Sequence, residues 1–137
     1  MNWYKVAVNK EEIERKYPVA SSIVDELTVL DNIPNTGSIE SSLTNYKILD
    51  KIRQVTMQDF DVDGKSYSVS ENKRIKELAE EIKHTRTIAP LIVVVDNEGP
   101  YILEGSHRID ALYLLGKVSF PALVVIDLEN QGVGNEI

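Results

Sequence analysis

Leu91-Ile92-Val93-Val94-Val95, Asp96-Asn97-Glu98-Gly99, Tyr101-Ile102-Leu103-Glu104 and Gly105-Ser106-His107-Arg108 follow one another almost without a break. The first run is apolar at every position, the pattern of a strand buried on both faces. The second is turn chemistry, and the third returns as the partner strand of a hairpin. Beyond Gly105 the spacing becomes helical: Ile109 and Leu112 lie three apart, and Ala111, Leu114 and Leu115 continue the buried face. Gly116 stands where a left-handed C-terminal cap belongs. Residues 120–127 form a last, very apolar strand. Residues 88–127 therefore read as one strand–turn–helix–strand unit, with Glu104 and residues 105–108 as its functional loop.

Working outward, residues 71–84 make the clearest helix. Ile75, Leu78, Ala79 and Ile82 fall at i, i+3, i+4 and i+7, and Ser70 is placed to cap it. Residues 48–60 carry Ile52, Val55, Met57 and Phe60 among polar residues and are expected to be extended, ahead of a turn at Asp61-Val62-Asp63-Gly64. Nearer the start, residues 3–8 favour a short strand. Lys10–Lys16 predicts a short helix limited by Pro18. Ile23, Leu27 and Leu30, spaced by four and three, predict a second helix over 20–30. Residues 31–37, Asp-Asn-Ile-Pro-Asn-Thr-Gly, are the best linker in the chain. The expected organisation is an N-terminal appendage of a short strand and helices at 1–46, a main domain at 47–128 and a flexible tail at 129–137. The fold class is α+β, a small mixed sheet with packed helices.

Composition bounds the function. At 137 residues the chain is one domain's worth, and its 42% hydrophobic and 27% charged content suits a globular protein. The net charge of −7 gives no bulk attraction to phosphate backbones, so nucleic acid is not an expected partner. The absence of cysteine excludes disulfides, thiolate metal sites and cysteine nucleophiles. Two histidines cannot build a multi-histidine metal cage. The apolar runs fall far short of the roughly 20 residues a membrane span needs, and the start is unlike a signal peptide. No membrane partner and a cytoplasmic location are expected. His84 ends a charged helix, where an imidazolium favours the dipole. Trp3 reads as a core or interface anchor.

Glu104 and the four residues after it sit where a strand gives way to a helix. That place offers free backbone N–H groups and the positive end of a helix dipole, a ready phosphate site. Gly105 leaves room for a ligand, and Ser106 adds a hydroxyl. His107 is a donor of tunable charge, and Arg108 is a planar fork suited to phosphate. Glu104 can hold a metal or accept a proton from a substrate hydroxyl. The plainer alternative has Ser106 capping the helix, Arg108 pairing with Asp110 or Glu104, and His107 solvated. Arg86, two residues past the charged helix, is within reach of the same pocket.

The ordered set of segments resembles the ParB/sulfiredoxin superfamily. The resemblance rests on Ile88-Ala89-Pro90-Leu91-Ile92-Val93-Val94-Val95, on Gly99-Pro100-Tyr101-Ile102-Leu103-Glu104-Gly105-Ser106-His107-Arg108, and on Pro121-Ala122-Leu123-Val124. The helix Ile75-Lys76-Glu77-Leu78-Ala79-Glu80-Glu81-Ile82-Lys83 is similar to the family's Leu-Ala-x-Ser-Ile-Lys helix, with Glu81 in place of the serine. The strand around residues 52–60 is similar to its opening strand. The match covers roughly residues 50–127.

The resemblance implies a nucleotide-phosphate site for ATP, ADP or CTP, often with Mg2+. Gly105 and Ser106 would give backbone contacts, and His107 and Arg108 would grip phosphate oxygens. Thr87 and Pro90 would line the base or ribose. Glu104 matches the acidic residue that free-serine kinases of the superfamily place beside the transferred phosphoryl group, so Glu104 and His107 are the candidate catalytic residues and Glu104 the candidate metal ligand. A second carboxylate is left open among Asp59, Asp61 and Asp63, which also suit turns. Ser106 stands where sulfiredoxins carry their cysteine, which excludes sulfinic-acid repair. The helix-turn-helix domain of partition proteins has no counterpart here, so chromosome partition is not expected. Three functions are implied: Mg-dependent phosphoryl transfer to a small acceptor or nucleotide hydrolysis, a ParB-like nuclease, and a non-catalytic nucleotide-sensing module whose residues 1–46 contact a protein partner.

Overall fold

A strand that is apolar on both faces needs cover on both sides, and the arrangement of the chain supplies it. The computed structural model describes residues 10–32, 34–60 and 69–129. The strand expected at 3–8, the turn at 61–64 and all but the first residue of the expected tail lie outside the described residues. In chain order the elements are α1 (Lys10–Lys16), β1 (Ile23–Val24), β2 (Leu27–Val29), α2 (Gly37–Ser42), β3 (Tyr46–Ile48), β4 (Arg53–Thr56), α3 (Val69–Thr85), β5 (Thr87–Ile88), β6 (Leu91–Asp96), β7 (Gly99–Glu104), α4 (Ser106–Leu114) and β8 (Ser119–Asp127). The class is α+β.

β6 is central. It pairs antiparallel with β7 across the two-residue loop Asn97-Glu98, and parallel with β8 from Leu91↔Ala122 to Val95↔Ile126. The other edge of β8 takes β3 near its end and β4 near its start, both antiparallel, which completes a mixed five-stranded sheet. On one face Leu91, Val93, Val95, Val124 and Ile126 meet Ile75, Ala79 and Ile82 of α3 and Ile109 and Leu112 of α4. On the other face Ile92, Val94 and Val125 pack under Ile39 of α2. Each fully buried aliphatic side chain contributes roughly 1.5–3 kcal/mol. The five at 91–95, all at 4% exposure or less, therefore anchor both layers at once.

The helix expected over 20–30 is instead a hairpin. Ile23, Val24 and Val29 are β-branched, and Asp25 and Glu26 make the turn at φ 48° and 70°. The competing principle is tertiary pairing. β2 runs parallel to β5, with the Thr28 N–H donating to the Arg86 carbonyl and the Leu30 N–H to the Ile88 carbonyl, each at 2.9 Å. Of the three residues that set the helical spacing only Leu27 is buried, while Ile23 is 57% exposed. Ser70 does not cap α3 either, because the helix already begins at Val69. Residues 48–60 are extended only in part: β4 is followed by a single 3-10 turn over Met57–Asp59. The helices at Lys10–Lys16, 71–84 and 107–115 and the strands at 91–95, 101–104 and 122–126 stand where the sequence predicts them.

Packing does not stop at residue 46. Tyr17 and Leu27 belong to the same core as α3, α4 and the sheet, and Ile39 closes the opposite face. Tyr17 is fully buried, with its ring near Lys16 and its hydroxyl beside Asp59. Burial, and then the Asp59 carboxylate, push its phenol well above the ordinary 10.0. Tyr17→Ala is expected to cost about 3–5 kcal/mol in urea unfolding, the usual cost of deleting a buried aromatic. A loss under about 1 kcal/mol would show that this residue stands outside the cooperative core. The raised phenol also has a pH signature. The folded state resists losing that proton, so its contribution is complete below about pH 10 and falls as pH rises past it. The urea midpoint of Tyr17→Phe should decline less steeply than that of wild type between about pH 9 and 11.

Candidate functional site

Gly105 decides how the loop is built. Its φ of 106° lies in the left-handed region, and a Cβ placed on it would stand 2.6 Å from Leu91 Cγ. Only glycine satisfies both the dihedral and the approach. The loop is thereby seated on the first residue of β6, and α4 starts directly above the sheet. Gly105 holds the N-cap position, so no side chain caps α4, and its first intrahelical bond runs from the Ile109 N–H to the Gly105 carbonyl at 2.9 Å. Ser106 is the exposed first residue of the helix, not its cap.

Arg108 is held by the backbone. Its Nη1 donates to the carbonyls of Ala89 and Pro90 at 3.1 and 2.9 Å. Neither Asp110 nor Glu104 is its hydrogen-bond partner, although Glu104 acts on it through space. Burial pulls the guanidinium below its ordinary value and the Glu104 carboxylate opposes that shift. The group stays charged, as arginine does. Glu104 Oε2 accepts a hydrogen bond from Ser38 Oγ of α2 at 2.9 Å. His107 Nε2 lies 3.7 Å from Glu71 Oε2 in the first turn of α3.

That last contact fixes the helix pair. The N-termini of α3 and α4 lie side by side, and at the far end Lys83, Arg86, Leu114, Leu115 and Lys117 line one groove. The two helices run in the same direction, so their dipoles add at the loop. Pro90, Glu104, Gly105, Ser106, His107 and Arg108 are brought together. Arg86 is not with them: it lines the groove at the opposite end of the helix pair. Thr87 is held in β5, with its Oγ1 2.9 Å from Thr85 Oγ1. Asp59 sits by Lys16 at 3.6 Å and by Tyr17, and Asp61 and Asp63 lie outside the described residues.

Two site features escape sequence reading. Ser38 meets Glu104 across 66 positions, and no local pattern announces it. Asp110 is 5% exposed on α4, and the signal was there: it is flanked by Ile109 and the buried pair Ala111 and Leu112. Among the described residues no group of three or more His, Asp or Glu side chains can hold a metal, so a protein-only cage is not formed there. Mg2+ needs less, since one or two carboxylates plus substrate phosphates commonly hold it. Glu104 fits as one such ligand. Among the described residues no helix is long and apolar enough to cross a membrane.

No protein-family model matches the chain, and no curated protein matches it. The glycine seat can be tested alone. Gly105→Ala is expected to destabilise by at least about 1–2 kcal/mol, from the left-handed φ and the clash together. Leu91→Ala should cost about 2–5 kcal/mol. The double variant should cost less than the sum, because removing the Leu91 side chain frees the space the new Cβ occupies. Strict additivity in urea unfolding would show that the close approach does not constrain the loop.

Proposed function

We propose that this chain is a nucleotide-phosphate-binding domain with a ParB/sulfiredoxin-like fold. The observation that carries the reading is the left-handed Gly105, seated on Leu91, opening a nine-residue helix that no side chain caps. A phosphate at that end meets first-turn N–H groups and two parallel dipoles, each worth roughly half a positive charge. Arg108 would support it from an anchored position, with Nη1 fixed on two carbonyls. His107 adds a donor. Mg2+ arriving with the nucleotide would offset charge on the phosphates, with Glu104 as its protein ligand.

Turnover is the second part of the proposal. Glu104 would orient an acceptor hydroxyl or a water and take its proton, and His107 would stabilise charge developing on phosphate oxygens. One observation favours the non-catalytic alternative: Ser38 already holds a Glu104 oxygen, and Glu104 braces Arg108 electrostatically. A carboxylate in that role sets the grip and moves no proton.

Two variants separate these readings. Ser106→Asp puts a carboxylate at an exposed first-turn position, where it stabilises the helix but repels phosphate. Like charges about 4 Å apart near a surface repel by a few kcal/mol, so binding of ATP, ADP or CTP should weaken at least about tenfold with no fall in Tm. Calorimetry giving wild-type affinity for Ser106→Asp, with and without Mg2+, would sink the phosphate assignment. Glu104→Gln is expected to hold nucleotide within a few fold while single-turnover transfer or hydrolysis drops at least about a hundredfold. Weaker binding with unchanged turnover of bound nucleotide would make Glu104 a brace.

A further inference from the structure

At the far end of α3 and α4 lies a second site, about 490 Å3 in volume, which neither the loop nor its proposed nucleotide uses. It is lined by Leu27, Leu114 and Leu115 together with Lys83, Arg86, Lys117 and Glu26, with Leu27 buried and Leu114 exposed. We infer that this groove binds a small organic anion, a single carboxylate or phosphate head joined to an apolar body. It stands independently of the nucleotide reading, because α4 separates the two places by about 13 Å at 1.5 Å per residue.

Charge is the first argument. Cations near helix C-termini ordinarily answer the negative dipole ends, each roughly half a charge. Three cations, Lys83, Arg86 and Lys117, gather at these two helix ends, with Glu26 among them and Asp25 beside it, on a chain whose net charge is −7. Asp25, next to Glu26, keeps its own negative charge while its carboxylate accepts the Val118 N–H at 2.6 Å. Lys117 is the sharpest case. Its side chain is only 16% exposed, yet its carboxylate partner is Glu26, 3.6 Å away and 87% exposed. A shielded ammonium held by so loose a counterion favours an added anion.

Backbone strain is the second argument. Four non-glycine residues among those described have positive φ, and Asp25, Glu26 and Arg86 are three of them. Glu26 and Arg86 line this groove, and Asp25 completes the turn beside it. Arg86, at φ 57°, follows the last residue of α3, the position where glycine is preferred. Its N–H donates to the Ile82 carbonyl and its carbonyl accepts from Thr28, so glycine would serve the backbone equally well. An arginine held there in a disfavoured conformation points to use of its side chain. Leu114, 56% exposed, gives an apolar body somewhere to lie.

The same strain provides a clean variant. Arg86→Gly removes the cation while relaxing the backbone, so the fold should melt no lower than wild type. The full chain, isotope-labelled, is titrated by NMR with phenyl phosphate, hexanoate and inorganic phosphate. The expected result is binding of phenyl phosphate or hexanoate that perturbs Leu27 and residues 114–117, with inorganic phosphate several-fold weaker for want of an apolar body. Which organic probe binds tighter identifies the head group. Arg86→Gly should weaken that binding at least about tenfold, the scale of one charge-assisted pair. Lys117→Met, which keeps the apolar stem, should do the same and supplies the answer if Arg86→Gly fails to fold. Equal affinity in wild type and both variants, perturbation confined to residues 105–108, or no perturbation at millimolar probe would overturn the proposal.

Discussion

Parallel pairing of residues 91–95 with residues 122–126 leaves two adjacent strands whose side chains are apolar on both faces. Such a pair cannot lie at a surface without exposing several large aliphatic groups, so each face recruits its own layer. α3 and α4 fill one side, and α2, through Ile39, fills the other. Once both layers are required, residues far apart in the chain must meet around the strand ends. Ser38 reaches Glu104, and Arg108 reaches the carbonyls at the start of β6. The proposed phosphate site is thus a by-product of covering the sheet. It occupies the place where β6 begins, β7 ends and α4 starts.

The same constraint polarises the helical layer. Two helices that run in one direction place both positive dipole ends together and both negative ends together. Around the positive ends the chain sets Glu71 and Glu104; around the negative ends it sets Lys83, Arg86 and Lys117. Each set partly cancels the dipoles it faces. The loop presents first-turn N–H groups and Arg108, and the far groove presents Lys117, whose counterion Glu26 is 87% exposed. One packing decision therefore generates both regions proposed to bind anions. At the loop the charge comes mostly from backbone; at the groove it comes from side chains, which a single substitution can remove.

Much of the fold was legible because its decisive segments obey local rules. The 91–95 run, the two-residue turn at Asn97-Glu98, the 3.6-residue spacing in α3 and α4, and Gly116 all agree with the global structure. Gly116 has φ 74°, its N–H bonds the Tyr113 carbonyl and the Lys117 N–H bonds the Leu112 carbonyl, a complete C-terminal cap. Residues 20–30 failed for a specific reason. Their apolar spacing fits a helix, but the turn at Asp25-Glu26 carries no glycine or asparagine to signal it, and the strand forms because β5 supplies a partner 59 positions later. The members of the loop were legible as a set, while their partners were not. Pattern reading places Arg108 beside Gly105, yet gives no hint that its guanidinium is tied to Ala89 and Pro90.

That tie changes what Arg108 means chemically. A solvated arginine near a phosphate must surrender conformational entropy to bind, which weakens the net gain. Here the two carbonyl bonds have already fixed the guanidinium plane, and Pro90, with its restricted φ, stiffens the segment that supplies those carbonyls. Burial raises the energy of the charged form, and Glu104 lowers it again. The guanidinium is thus preorganised and incompletely compensated, a state that one incoming anion would relieve more effectively than water. Glu104, itself held by Ser38, then has two effects that oppose each other in strength of binding. It favours the charged Arg108 through space, and it repels a second negative charge unless a cation accompanies the phosphate. The dependence of affinity on Mg2+ is therefore the natural measure of which effect dominates at this loop.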